Sequence, residues 1–187
     1  MKTWKKVALW ILGLLVVLIL VSYLLPKSYK VERSITVKST PHTLYMLISD
    51  YRLWELWAPW TKEEDPAVVF EIEGTPGQPG SVWKWKGDKF RQGAMTMTEG
   101  IPVRRMTYQL DFDQGSMISY GLMELECSGD SCRVTWRDEG TLGNFPLERF
   151  FGLLADRMMG PDFEKGLMNL KAIAEARAEW PEIKETV

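Results

Sequence analysis

One histidine and two cysteines in 187 residues leave this chain without the material for a histidine–cysteine metal centre or a multi-disulfide scaffold. The histidine, His42, falls in the first turn of an expected helix and reads as a surface residue rather than a base or ligand. No glycine-rich loop ends in Lys-Ser/Thr, and Gly74, Gly77 and Gly80 do not lead from a strand into a helix. A Gly-x-Ser-x-Gly elbow is missing too, so phosphate-binding and serine-hydrolase chemistry have no motif to rest on. No cofactor and no metal is expected.

Clustered positive charge is also scarce. Residues 1–30 hold five of the 23 basic side chains and none of the 25 acidic ones, so the remainder is acidic. Its local basic groups, Lys84, Lys86, Lys89 and Arg91, then Arg104 and Arg105, read as solvated strand faces, and nucleic acid is not an expected partner.

The longest absence is of charge altogether. Val7 to Leu25 is an unbroken uncharged run, preceded by Lys2, Lys5 and Lys6 and followed by Pro26 and Lys27. As a helix it is about 28 Å long, close to the hydrocarbon thickness of a bilayer. Trp4, Trp10 and Tyr23 lie toward its ends, where amphipathic rings favour the headgroup layer. A cleaved leader shares the basic start, but its apolar core is shorter and ends in a small-x-small site, unlike Val21-Ser22-Tyr23-Leu24-Leu25-Pro26. A buried core helix would show a polar face, and here Gly13 and Ser22 are the mild exceptions. Residues 1–27 are therefore expected to be a single-pass anchor, with 28–187 as one domain. Three lysines before the span against Lys27 and Lys30 after it place the N-terminus inside and the domain outside, in a bacterium the periplasmic side of the inner membrane.

Cys127 and Cys132 flank Ser128-Gly129-Asp130-Ser131, a turn sequence between two strand-like runs. Facing each other across a hairpin they would sit at bonding distance, and an outside compartment permits a disulfide. Two free thiols beside a turn would give the same sequence.

The domain begins with a strand, Tyr29 to Val37; Ser39-Thr40-Pro41 then caps a helix running to Ser49. A short helix is expected over Tyr51 to Trp57, stopped by Pro59. Six strands follow at Ala67–Glu73, Ser81–Lys86, Gln92–Thr98, Arg104–Phe112, Met117–Cys127 and Cys132–Leu142. Helical periodicity returns over Leu147 to Met159, is broken by Gly160-Pro161-Asp162, and resumes with a stripe at Phe163, Gly166, Leu167, Leu170, Ile173 and Ala174. Glu164, Lys165, Lys171, Glu175 and Arg177 occupy the opposite side.

This order, with Asp50–Trp60 as a tryptophan-rich segment, Gly80–Gly87 as a glycine-bounded aromatic strand, Glu99–Pro102 as a strand-ending turn and Asp162–Lys171 in the last helix, resembles the SRPBCC/START-like helix-grip superfamily, in particular its polyketide cyclase/dehydrase-like branch. The resemblance covers about residues 29–178. It implies an α+β fold in which a curved seven-stranded antiparallel sheet wraps a long C-terminal helix and leaves a cavity for a hydrophobic molecule or lipid.

Strand alternation supplies candidates for that cavity. Trp83 and Trp85 share a face, as do Met95 and Met97, and Met106, Tyr108, Leu110 and Phe112. If the two cysteines share a face, Met123 and Leu125 share it with Val134 and Trp136. With Phe163 and Leu167 from the last helix, and Trp57 and Trp60 at a lip, Trp83, Trp85, Met95, Met97, Tyr108, Met123 and Trp136 make the expected ligand-binding set. The same bulk would equally fill a solid core. Asp138 continues the inward alternation and is the one candidate catalytic carboxylate, unless the strand has already reached solvent there. Glu99 and Arg104 flank a turn and read as surface charges.

Two further readings share this fold: a cyclase/dehydrase-type enzyme using Asp138 or Tyr108, and a protein-interaction module presenting Trp54, Trp57 and Trp60 as one exposed patch.

Overall fold

The computed structural model describes residues 3–113, 115, 117–143 and 148–178, with side chains described through 176. Helix α1 (Thr3–Ser22) stands away from the rest: every residue in it except Ser22 is exposed, so it is no core helix of this chain. It is long and apolar enough to cross a bilayer, a property that cleaved leaders share. Lys2 lies outside the described residues.

Strand β1 (Ser28–Val37) leads into α2 (Pro41–Ser49), where Thr40 Oγ1 accepts from the Thr43 N–H and Pro41 takes the first turn. The expected short helix is a 3₁₀ segment, Tyr51–Leu56, whose start is capped by the Asp50 carboxylate accepting from the Arg52 N–H. The remaining strands are β2 (Val69–Glu73), β3 (Val82–Lys86), β4 (Gln92–Ile101), β5 (Arg105–Phe112), β6 (Met117–Ser128) and β7 (Ser131–Thr141). They form one antiparallel sheet in the order β1-β7-β6-β5-β4-β3-β2. Strand β4 runs past its expected end because a bulge between Met97 and Glu99 lets pairing continue to Ile101, so the turn falls at Pro102–Arg104.

A correction concerns the last helix. Where the sequence pattern places a break at Gly160-Pro161-Asp162, α3 (Glu148–Ala178) is continuous, with Pro161 inside it. Proline costs a helix one i→i−4 hydrogen bond and also crowds the residue before it; Gly160, which has no Cβ, relieves the second of these effects. Gly160 is also where the Arg33 guanidinium passes: a Cβ there would lie 2.1 Å from its Nη2. Leu147, the expected start of the earlier stretch, lies outside the described residues.

The α3 stripe of Phe163, Leu167, Leu170 and Ala174 is buried against the sheet, as its periodicity predicts. Arg33 ties α3 to β1 by ion pairs to Asp156 at 2.7 Å and Glu164 at 2.6 Å. Glu64–Lys165 and Lys171–Glu175 pairs lie on the solvent side; the Arg177 side chain lies outside the described residues. Cys127 and Cys132 are directly paired across the β6–β7 hairpin and joined as a disulfide. Met123, Leu125, Val134 and Trp136 share the buried face with Cys132, as the pairing requires.

Candidate functional site

Between the sheet and α3 lies a cavity of about 250 Å³. Its wall is nearly all hydrocarbon and aromatic ring: Phe70, Trp83, Trp85, Met95, Tyr108, Leu110, Phe112 and Met117 from the sheet, Phe151, Met159 and Phe163 from α3, Trp60 and Phe90 from loops, and one carboxylate, Asp162.

Strand register explains its shape. One row of paired residues runs across the sheet through Tyr29, Gly140, Ser119, Leu110, Met95 and Trp83. The next row on the same face, displaced toward the start of β1, holds Met117, Phe112, Gly93, Trp85 and Phe70. Met95, Trp83 and Leu110 are buried and form the floor; Met117, Phe112, Trp85 and Phe70 are half-buried and form the rim. The cavity therefore opens at the end of the sheet where β1 begins.

Glycines opposite aromatic rings make this geometry fit. A Cβ on Gly93 would lie 2.2 Å from Trp85 Cζ2, and one on Gly121 would lie 1.8 Å from Tyr108 Cζ. Each ring lies flat over its cross-strand glycine, a pairing that side-chain alternation alone does not reveal.

The polar groups at the cavity are few. Tyr108 Oη accepts from Trp136 Nε1 at 2.7 Å. Trp83 Nε1 is buried and finds no hydrogen-bond partner among the described residues. Asp162 stands above the usual carboxylate range, chiefly through desolvation and then the nearby Glu64.

Asp138 is fully buried, so its strand has not reached solvent there. Ser119 Oγ donates to its Oδ2 at 3.2 Å. Burial pushes its carboxyl up to about 7, against the stabilising hydrogen bonds from Ser119 and Tyr29, with Glu139 adding to the rise. It is not part of the cavity wall. Tyr29 packs edge-on to Phe151 at 6.2 Å, and Phe151 is wall, so Asp138 sits behind those two rings. Burial likewise raises the phenols of Tyr29, Tyr51 and Tyr108.

Of the expected ligand set, the cavity wall contains Trp60, Trp83, Trp85, Met95, Tyr108 and Phe163. Trp57, Met97, Met123, Trp136 and Leu167 are buried but lie elsewhere in the core. Trp57 is 0% exposed; its indole donates to the Leu47 carbonyl at 3.0 Å, and its own carbonyl accepts from Asn169 Nδ2 at 3.1 Å. Trp54 is equally buried, so the exposed patch of Trp54, Trp57 and Trp60 does not exist. Wall residues outside the expected set include Phe70, Phe90, Phe151 and Met159. Alternation along β2 puts Phe70 on the inner face; Phe151 and Met159 belong to the stretch of α3 that the expected break separates from the apolar stripe beginning at Phe163.

Glu99 and Arg105 form an exposed pair at 3.1 Å on the opposite end of the sheet from the rim. A second depression, on the outer face of β2 to β5, is open, with the charged residues Glu71, Lys84, Lys86 and Asp111 among those that line it. Among the described residues no cluster of three His, Cys, Asp or Glu could hold a metal ion.

A single-layer curved sheet closed over one long helix, with an apolar cavity between them, defines a helix-grip protein. Residues 28–175 match the family described as polyketide cyclase / dehydrase and lipid transport, and the chain belongs to that family. No curated protein matches it in sequence. Similar solved structures include a Thermobifida fusca protein, 17% identical with a TM-score of 0.61, covering 80% of this chain and 95% of that one. The di-domain aromatase/cyclase StfQ of the steffimycin biosynthetic pathway is 14% identical, with a TM-score of 0.60, over 82% of this chain and 53% of that one. A norcoclaurine synthase from Thalictrum is 11% identical, with a TM-score of 0.58, over 80% and 96%. At these identities the likeness is one of fold.

Proposed function

We propose that this protein is a membrane-anchored binding module that takes up one apolar molecule outside the cytoplasmic membrane, with α1 as the anchor. The observation that carries the reading is the cavity itself: an aromatic and methionine wall, open at one end, in a family whose description includes lipid transport. Its volume is just below the usual ligand-pocket range of about 300–1,000 Å³. That suits a single acyl segment or small ring system and excludes a two-chain phospholipid. The disulfide agrees with an oxidising compartment.

An enzyme of cyclase/dehydrase type is the second reading, favoured by the raised carboxyl of Asp138. Against it, Asp138 has no place on the wall, where a general acid or base must touch its substrate, and Tyr108, which does line the wall, is a phenol that burial holds in its neutral form.

The test is a titration of the full chain in nanodiscs with a polarity-sensitive fluorescent fatty acid, beside Leu110→Trp, which fills the cavity floor. Saturable one-site binding above the background of the variant supports the reading. Equal signals from both proteins overturn it.

A further inference from the structure

The end of α1 is not free of the domain. Arg149, in the first turn of α3, is buried; its Nη1 donates to the Ser22 carbonyl at 3.1 Å and its guanidinium lies 5.1 Å from the Tyr23 ring centroid. This places a cation against a carbonyl at a helix C-terminus, one that also accepts from the Leu25 N–H, where the dipole favours positive charge. Between Leu25 and the start of β1 only Pro26 and Lys27 intervene, and the Leu142 N–H donates to the Lys27 carbonyl at 2.7 Å. The junction is short and held from both sides.

From this junction α3 and β1 run in the same direction. Gly152 lies beside Ser28, Gly160 beside Arg33, and the Glu175 carboxylate accepts from the Lys38 N–H. The first turns of α3 are thus the part nearest the end of α1, at the same end of the sheet as the cavity rim. Leu153, Leu154 and Met158 there are exposed by 58%, 51% and 58%. At about 1.5 Å per residue, Leu153 and Leu154 stand roughly 6–8 Å along the axis from Arg149, comparable to the depth of the interfacial layer outside the hydrocarbon.

We propose that the leaflet surface from which α1 emerges covers the start of this patch, so that Leu153 and Leu154 seat in the lipid interface and the cavity rim faces the bilayer. Arg149 then acts as the positioning residue that sets the angle between anchor and domain. The arrangement gives an apolar ligand a path from leaflet to cavity floor past Phe151 and Met117 without a passage through bulk water. It rests on the reading of α1 as a membrane span.

The experiment places a diazirine-bearing leucine analogue at Leu153, Leu154, Met168 or Leu15, one site at a time. Each full-length chain is reconstituted in nanodiscs of phosphatidylcholine and phosphatidylglycerol, and lipid adducts are counted by mass spectrometry after illumination. Met168 is the control: it is 57% exposed on the same helix but about 21–23 Å further along it than Leu154 and Leu153. The expected result is strong labelling at Leu15 and, at Leu153 and Leu154, a lipid yield several-fold above Met168. Labelling at Leu15 with Leu153 and Leu154 at the Met168 level overturns the docking while leaving the anchor intact. No adduct at Leu15 removes the anchor reading, and the docking with it.

Discussion

Tyr29 Oη donates to Asp138 Oδ1 at 3.2 Å, joining two residues 109 positions apart on neighbouring strands β1 and β7. Both groups are buried, and among the described residues the carboxyl has no cation beside it, so its charge is opposed by desolvation. A folded-state value of about 7 against 3.8 means that the folded chain binds the proton more tightly than the unfolded one. Stability from this group is complete below about pH 4 and is lost as pH rises to about 7, by at most roughly 4 kcal/mol. In urea melts at pH 5 and pH 8, Asp138→Asn should flatten most of that dependence and be the more stable protein at pH 8. An unchanged pH profile in the variant would mean that Asp138 is already ionised without cost.

Trp57 and Trp60 are expected to part company. Trp57→Ala removes an indole from the packed core and should cost about 3–5 kcal/mol of folding stability. Trp60 is half-buried on the cavity wall, so Trp60→Ala should weaken ligand uptake with a smaller effect on folding. Denaturant melts paired with probe titrations separate the two; parallel losses in both variants would place Trp60 in the core as well.

Reduction of Cys127–Cys132, or the Cys127→Ser and Cys132→Ser pair, should lower stability by only about 2 kcal/mol because the closed loop is short. The domain should keep its fold and its cavity. Denaturant midpoints with and without a reductant check this, and complete unfolding on reduction would contradict it.

Much of the sheet was legible because a period of two survives burial on one face. Val134, Trp136 and Asp138 are inward as alternation requires, and the cysteine pairing fixed β6 against β7. The continuity of α3 is hidden from the sequence pattern because proline in a helix is judged by its usual effect, whereas the Arg33 pairs to Asp156 and Glu164 on either side of Pro161 come from β1. Trp57 and Trp60 look alike in sequence, three positions apart beside a proline. Their separation into core and wall depends on contacts with Leu47 and Asn169, which no local pattern encodes. The cavity wall was recovered in part for the same reason: inwardness is periodic, but which inward residues leave space is decided by ring-on-glycine fits such as Trp85 over Gly93.

Native mass spectrometry of the full chain released from nanodiscs, beside Leu110→Trp, tests the central claim most directly. The account predicts one apolar molecule held per wild-type chain and none in the variant, which should still unfold cooperatively. Identical retention by both chains, or none by either, would contradict a ligand-binding cavity.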